Sequence, residues 1–245
     1  MPAIIKAEHL VKQYGAARVI DDVSFSVNEG EIYGLVGPDG AGKTTTVRLI
    51  SGIIDVTAGE VTLGGFNIKK DIEKARNIIG YMPQRFSLYE DLTVAENIEF
   101  FADIYEVSKA DRKKRIDELY GFSHLENFKD RQAQFLSGGM QKKLALSCSL
   151  INFPKILILD EPTIGVDPLS RQELWEMLTD LNKNTGITIL VTTNYMDEVS
   201  RFDRVALIYQ GKFISEEAPK DVTERTGKTF EEYFISRIES IGVKK

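Results

Sequence analysis

Residues 37–44 read Gly-Pro-Asp-Gly-Ala-Gly-Lys-Thr and match the pattern G-x-x-x-x-G-K-[ST] at every position. Glycines let the backbone of such a loop curl so that several N–H groups point at phosphate oxygens, and the helix that follows presents its positive dipole end to the same anion. An apolar run at Ile32–Val36 predicts a strand before the loop, and a helix is expected over about 42–51. The sequence therefore predicts a phosphate-binding site at the end of a β-strand.

Continuous apolar runs at 156–159, 187–191 and 205–209 predict strands that are buried on both faces of a parallel sheet. Further strands are expected at 60–63 and 78–82, with helices at about 171–184 and 196–201. Because strands and helices alternate, the chain is expected to be an α/β layer protein.

The segment from about 93 to 151 breaks the alternation, because all of its signals are helical. Thr93 with Glu96, and Ser108 with Asp111, match the capping-box pattern at two helix starts. A third box, Thr229 with Glu232, predicts a C-terminal helix, either docked on the chain or binding a partner. Its apolar face would carry Phe230, Tyr233, Phe234, Ile238 and Ile241. The expected division is 1–90 and 152–215 for the α/β core, 91–151 for a helical subdomain, and 216–245 for a C-terminal helical extension.

Composition limits the partners. A net charge of −6, from 37 acids against 31 bases, gives no global electrostatic reason to bind nucleic acid. The single cysteine, Cys148, excludes an internal disulfide. No uninterrupted apolar run approaches the roughly 18 residues that a membrane span requires. If the protein works at a membrane, we expect a partner to supply the span.

Two further motifs accompany the phosphate loop. Asp160 and Glu161 follow an apolar strand, where Asp160 can hold Mg²⁺ and Glu161 can polarise an attacking water. Residues 136–141 read Leu-Ser-Gly-Gly-Met-Gln, just before the apolar-periodic segment that runs to Ile151. Ser137 and the glycines would expose N–H groups at a helix N-terminus, which is a second anion site. One chain rarely needs two phosphate cradles for one nucleotide.

In this order, the phosphate loop, the LSGGQ-like signature and the Asp-Glu pair resemble the ABC ATPases, and the resemblance covers nearly the whole chain. It implies a P-loop NTPase (RecA-like) core with an antiparallel β part and an inserted α-helical subdomain. It also implies residue roles. ATP would contact Tyr14, Gly37, Pro38, Asp39, Gly40, Ala41, Gly42, Lys43, Thr44, Thr45 and Gln84; Mg²⁺ would be held by Thr44, Gln84 and Asp160; Glu161 and Asn194 would be catalytic; Asp167 would lie in the D-loop.

The resemblance further implies a head-to-tail pair of subunits. The signature of one subunit, with Ser137, Gly138, Gly139 and Gln141, would cover the γ-phosphate held by the other. The expected partners are a second ABC ATPase subunit and a transmembrane permease. The expected location is therefore cytoplasmic, on the inner face of the cell membrane. Residues 81–84 and 88–93 look like those of ABC-2 type exporter ATPases, which indicates that the chain powers export.

Residues 192–198 match the switch region of the family, except that Asn194 stands where histidine is usual. Asparagine keeps an N–H donor, but it is shorter and never charged. Loss of one preorganised donor typically costs about 10²- to 10³-fold in rate. The hypothesis is normal ATP binding with slow hydrolysis, which would suit a heterodimer; the alternative is that Asn194 substitutes adequately.

Three other functions stay open at this point. A non-transport ABC ATPase, such as one of iron-sulfur assembly, has the right length. A regulatory ATP-binding subunit with little turnover is favoured by Asn194 and opposed by Glu161. The third is a different P-loop enzyme, such as a GTPase. The Asn-Lys-x-Asp motif that reads guanine is missing from this sequence, and a GTPase would leave Ser137 and its glycines unexplained.

Overall fold

A computed structural model describes residues 2–85 and 88–240. Its strands are β1 Ala3–Tyr14, β2 Ala17–Asn28, β3 Ile32–Val36, β4 Ala58–Leu63, β5 Phe66–Asn67, β6 Ile79–Met82, β7 Ile156–Asp160, β8 Thr188–Thr193, β9 Arg204–Tyr209 and β10 Lys212–Glu217. Its helices are α1 Lys43–Ile50, α2 Ile72–Arg76, α3 Val94–Ile104, α4 Lys109–Ser123, α5 Gly138–Leu150, α6 Pro168–Thr185, α7 Pro219–Thr226 and α8 Phe230–Ser240. Short 3₁₀ turns occur at Glu126–Phe128, Ala133–Phe135 and Met196–Arg201.

The larger sheet has the strand order β10-β9-β3-β8-β7-β6 and is parallel except for β10. Every residue of β7 is buried, with Ile158 in the core on one face of the sheet and Leu157 and Leu159 in the core on the other. A strand covered on both faces needs apolar residues at every position, which explains the continuous run in the sequence. Parallel pairing brings the carboxyl ends of β3, β8, β7 and β6 to one edge.

The smaller sheet is antiparallel, with the order β2-β1-β4-β5. Leu10 and Val23 from this sheet share one buried cluster with Leu35 of β3 and with Val47 and Leu49 of α1. The helix after the phosphate loop is thus packed between the two sheets. The expected fold class, an α/β P-loop core with an antiparallel part and a helical insert, is confirmed.

The chain between β6 and β7 is helical. The capping box of α3 is complete, since the Thr93 hydroxyl accepts from the backbone N–H of Glu96 and the Glu96 carboxylate accepts from the N–H of Thr93. Ser108 caps α4 through the N–H of Asp111. Helix α5 packs against α3, α4 and α6, and so joins this helical layer to the core.

At the C-terminus, α8 docks on β10. The Tyr233 hydroxyl donates to Glu217 at 2.9 Å, and Arg237 donates to the carbonyl of Ile214 at 2.9 Å. Thr229 and Glu232 make the reciprocal bonds of the predicted cap. Of the apolar face predicted for this helix, Ile241 lies outside the described residues.

Two expectations of secondary structure differ from the fold. Residues 196–201 form a 3₁₀ helix, and Phe202, which follows it, packs on Gly34, where an added Cβ would lie 2.4 Å from the Phe202 ring. The hairpin β1–β2 was not predicted as strands. In the parts of the chain that are described, no helix is both long enough and apolar enough to cross a bilayer.

Candidate functional site

The phosphate loop occupies the turn between β3 and α1. Gly42 has a φ of 110° and precedes the first helical residue, and within the described part of the chain no side chain caps this helix. A Cβ at Gly37 would lie 2.2 Å from the carbonyl oxygen of Ile208, so only glycine fits there. The uncapped N–H groups of a helix start form a site for an anion.

Lys43 is buried with its ammonium group folded along this loop. Its Nζ donates to the carbonyl oxygens of Gly37 at 2.8 Å and Pro38 at 3.1 Å, and it forms an ion pair of 3.1 Å with Oε1 of Glu161. These contacts use the three hydrogens of the ammonium group. The lysine of the loop and the acid after β7 therefore meet directly.

Asp160 lies beside Thr44 at the start of α1. Its Oδ1 accepts hydrogen bonds from the Thr44 hydroxyl at 3.0 Å and from the Thr192 hydroxyl at 2.7 Å. Its Oδ2 is buried and has no hydrogen-bond partner among the described residues. Burial raises the pKa of Asp160, and the two hydroxyl donors lower it in part. Hydroxyl and carboxylate oxygens are the ligands that Mg²⁺ prefers, so the pair Thr44 and Asp160 fits this ion.

Glu161 sits in a left-handed backbone conformation, with a φ of 48°. Its N–H donates to the Thr192 hydroxyl at 2.9 Å and to the Thr192 carbonyl at 3.1 Å, which holds the strained turn in place. Its Oε2 accepts from Nε2 of Gln84 at 2.7 Å. Non-glycine residues with positive φ cluster at functional sites, where surrounding bonds maintain the strain.

Asn194 follows β8 at the same edge of the sheet. Its Nδ2 donates to Oδ1 of Asp39 in the phosphate loop at 3.2 Å. The switch residue thus reaches the loop through the side chain of Asp39.

A cleft of about 380 Å³ lies over the phosphate loop. It is lined by Val19, Asp39, Gly40, Gly42, Lys43, Thr44, Thr45, Gln84, Glu161 and Ile164. Most of the predicted nucleotide contacts therefore surround one cleft. Of the described residues, four of the predicted contacts do not line it: Gly37, Pro38, Ala41 and Tyr14. Tyr14 is 51% exposed, and its ring lies under the ammonium group of Lys12, which is 4.8 Å from the ring centroid.

The signature residues lie at the start of α5, apart from this cleft. Ser137 caps the helix by accepting from the N–H of Met140 at 3.3 Å, and Ser137 and Gly138 are exposed. Gly139 is buried against Ser170. Gln141 turns inward and donates to the carbonyl of Ala133 at 3.0 Å. The structure thus leaves the front of the signature open to solvent.

Asp167, expected in the D-loop, begins helix α6. Its carboxylate accepts from the N–H of Ser170 at 3.0 Å, and this bond lowers the pKa of Asp167. The aspartate therefore caps the helix that packs beside the signature glycines.

Two residues of the site were not predicted. Thr192 holds both Asp160 and the backbone of Glu161. Lys142 of α5 directs its Nζ to the carbonyl of Gln84 at 3.4 Å; burial lowers the pKa of this lysine, and the charges of Glu161 and Asp160 raise it in part. A hydroxyl residue inside a fully buried apolar strand was the signal for Thr192. The sequence offers no comparable signal for Lys142.

The chain is similar to known proteins. The family model "ABC transporter" matches residues 20–164. The chain is 39% identical over 241 residues to the probable multidrug ABC transporter ATP-binding protein YbhF of Escherichia coli, covering 96% of this chain and 42% of YbhF. It is 39% identical to the linearmycin resistance ATP-binding protein LnrL of Bacillus subtilis, covering 91% of this chain and 72% of LnrL.

A solved structure is also similar. The ATP-binding cassette MJ0796, a dimer in a post-hydrolysis state bound to ADP and Pi, superimposes with a TM-score of 0.78 at 28% identity. The match covers 87% of this chain and 98% of that one. The fold and the cleft therefore define a P-loop nucleotide-binding domain. More particularly, the chain belongs to the ABC transporter family, as an ATP-binding subunit of a family that hydrolyses ATP.

Proposed function

We propose that this chain binds Mg-ATP over residues 37–45, hydrolyses it with Glu161 as the base, and powers export through a membrane permease. One observation carries the proposal. The acid after β7, the lysine of the phosphate loop and the glutamine after β6 converge, with Glu161 bonded to both Lys43 and Gln84. Charge and hydrogen-bond donors thus meet where a terminal phosphate and its attacking water would lie.

Magnesium would be held by Thr44 and Asp160, with Gln84 at the edge of the same cleft. Within the described residues, no three His, Cys, Asp or Glu side chains form a metal cluster. That suits Mg²⁺, which is usually bound by one or two protein oxygens together with substrate phosphates. When bound, the ion would neutralise charge on the β- and γ-phosphates.

Glu161 would accept a proton from the attacking water. Gln84 Nε2 and Lys43 Nζ hold one carboxylate oxygen each, so the side chain is aimed at the cleft before any reaction. The first N–H groups of α1 would bind the triphosphate, together with Gly40, Gly42, Lys43, Thr44 and Thr45 of the lining.

A second copy of an ABC ATPase would complete the site. Ser137 and Gly138 are exposed on α5 and do not line the cleft over the loop of their own chain. We therefore infer that they cover the γ-phosphate held by a partner, with Gly139 and Gln141 supporting the turn and Asp167 lying beside it. The dimeric state of MJ0796 supports this arrangement.

We also propose that 91–151 works as a helical subdomain on the core formed by 1–90 and 152–215, with 216–245 as an extension. YbhF is named as a probable multidrug transporter protein and LnrL as a linearmycin resistance protein, and on this basis we propose export as the direction of transport. The chain spans 42% of the length of YbhF. We propose that it works with a permease, on the inner face of the membrane, on a transported substrate. Affinity purification from membranes tests these proposals; recovery without a polytopic membrane protein would contradict a transport role.

Nucleotide binding and turnover test the enzymatic proposal. The purified chain should bind Mg-ATP, measured by titration calorimetry, and release phosphate. Lys43→Ala should weaken binding by at least about tenfold, because it removes a buried positive charge from the phosphate cradle. Binding of Mg-ATP that does not change in Lys43→Ala would refute the assignment of the cleft.

The finer proposal concerns Asn194. We infer that an asparagine at this position binds ATP normally but gives slow turnover, since it supplies a shorter and uncharged donor. The second candidate function, a regulatory ATP-binding subunit with little turnover, rests on the same residue. Asn194→His in the chain with its own partner should raise turnover by about tenfold or more. An unchanged rate would show that Asn194 substitutes adequately.

A further inference from the structure

The phosphate loop carries one acidic residue, Asp39, at a position exposed toward the cleft. A carboxylate inside a cradle built for phosphate opposes the binding of a polyanion. Its Oδ1 accepts from Nδ2 of Asn194, which is 155 positions away in sequence, at 3.2 Å. Among the described residues, this acid is the only side-chain hydrogen-bond partner of Asn194.

The chemistry of the pair fixes which end of the amide faces the loop. An ionised carboxylate can only accept hydrogen bonds, so Asn194 must turn its NH₂ group, and not its carbonyl oxygen, toward Asp39. The NH₂ group has two hydrogens. One is given to Asp39, and the other stays available for a phosphate oxygen. If the amide turned over, its carbonyl oxygen would instead repel that phosphate.

The backbone around the pair is also fixed. The N–H of Gly37 donates to the carbonyl of Thr193 at 3.4 Å, and the N–H of Tyr195 donates to the Thr193 hydroxyl at 3.0 Å. The end of β8 is thus tied to the first residue of the phosphate loop. With both main chains held, the side-chain bond decides the orientation of the amide.

We propose that Asp39 is a positioning residue, which orients the amide of Asn194 for the terminal phosphate at the cost of weaker ATP binding. The inference rests on the proposed function, because it needs ATP hydrolysis in this cleft. It separates two effects of one carboxylate. The hydrogen bond acts through Asn194 and should appear in kcat, whereas the charge acts directly on the nucleotide and should appear in KM.

A double-mutant cycle tests this separation. Asp39→Asn keeps the shape but removes the charge and the obligatory acceptor. It should lower kcat about twofold, because the two orientations of the amide become about equally populated, and lower KM for Mg-ATP about threefold, as expected for one unit charge near an exposed site. In the Asn194→Ala background, Asp39→Asn should leave kcat unchanged and still lower KM.

The control is Asp180→Asn, the same chemical change on α6. Asp180 is exposed and has no ion-pair partner within the described ranges, and it should change neither constant. Equal losses of kcat in both backgrounds would overturn the inference, as would an unchanged kcat for Asp39→Asn in the wild-type chain. In either case wild-type Mg-ATP turnover would leave the proposed function standing. Failure of the wild-type chain to bind Mg-ATP would overturn both.

Discussion

Two helix starts in this molecule, which we propose as anion sites, differ in their surroundings. Helix α1 begins after Gly42, no side chain of the described chain caps it, and its first residue, Lys43, is buried with a lysine-to-Glu161 ion pair behind the loop. Helix α5 begins after an exposed Ser137 that caps it, and Gly138 faces open space. The first start lies inside a cleft with acids, amide and hydroxyls around it, and the second lies on the surface.

The difference indicates what each of these two helix starts can do within a single subunit. The phosphate loop has within reach Lys43, the carboxylate of Glu161 and the oxygens of Thr44 and Asp160, and we propose that it binds Mg-ATP within one subunit. The signature offers a helix start that Ser137 caps and that is exposed to solvent, and it does not line the cleft over the phosphate loop of its own chain. We therefore expect changes at the loop to act on binding or chemistry in one subunit, and changes at the exposed signature residues Ser137 and Gly138 to act only between subunits.

The largest expected effect is at Glu161, beside the phosphate loop. Glu161→Gln should cut hydrolysis by about 10²- to 10⁴-fold, because an amide cannot take a proton from water. ATP binding should persist, since Lys43, Thr44 and Asp160 are untouched, and ATP-dependent dimers should accumulate on size-exclusion chromatography.

The matched control is Glu224→Gln on α7, where the carboxylate is exposed. It should leave phosphate release at the wild-type rate. If Glu161→Gln hydrolysed ATP like the wild type, another group would be the base.

The next largest effect distinguishes the signature from the phosphate loop. Gly138→Asp should cut turnover by about 10²-fold, because a carboxylate would face the partner's phosphate. The fold should tolerate it: no described atom lies within 4 Å of the added Cβ, and an acid in the first turn of a helix is favourable. Mg-ATP binding by single subunits should stay near the wild-type affinity, while the ATP-dependent dimer should disappear.

Substitutions at two other glycines serve as comparisons for Gly138→Asp. Gly121→Asp on α4 adds the same charge with the same free space and should leave turnover unchanged. Gly139→Ala should instead destabilise the fold by about 1–3 kcal/mol, because its Cβ would lie 2.4 Å from the Ser170 hydroxyl. A loss of nucleotide affinity in monomeric Gly138→Asp would contradict the expectation that Gly138 acts only on the nucleotide of a second subunit.

The sequence predicted which residues surround the phosphate loop better than it predicted the contacts between them. Buried parallel strands give continuous apolar runs, so the positions of Asp160, Glu161 and Asn194 at strand ends followed from the pattern. Which of them touch depends on strand order and register, which join residues more than a hundred positions apart. The bonds from Lys43 to Glu161 and from Asn194 to Asp39 are of this kind.

The missed hairpin has a different cause. The pairing of β1 with β2 contains several register shifts, and His9 and Asp22 there have positive φ values of 51° and 57°. Each bulge interrupts the alternation of inward and outward side chains. A pattern of period two therefore breaks within β1, and the sequence does not display a strand of 12 residues.

The smallest expected effect is on stability, and it distinguishes a built cation site from ordinary packing. Burial raises the pKa of Asp160 because its ionised form lacks solvent, and its Oδ2 has no partner in the described structure. Without Mg²⁺, Asp160→Asn should therefore raise the free energy of unfolding at neutral pH by about 1 kcal/mol, since an unpaired neutral group costs less to bury than a charge.

The pH dependence has a definite sign. A carboxyl with a raised pKa in the folded state is destabilising while ionised, and that penalty is relieved as the pH falls through the raised pKa toward about 4, the ordinary value for Asp. The advantage of Asp160→Asn over the wild type should thus shrink between neutral and acidic pH, measured by urea unfolding. Mg-ATP should stabilise the wild type far more than the variant. A variant less stable than the wild type at every pH would mean that Asp160 serves the fold and not a cation.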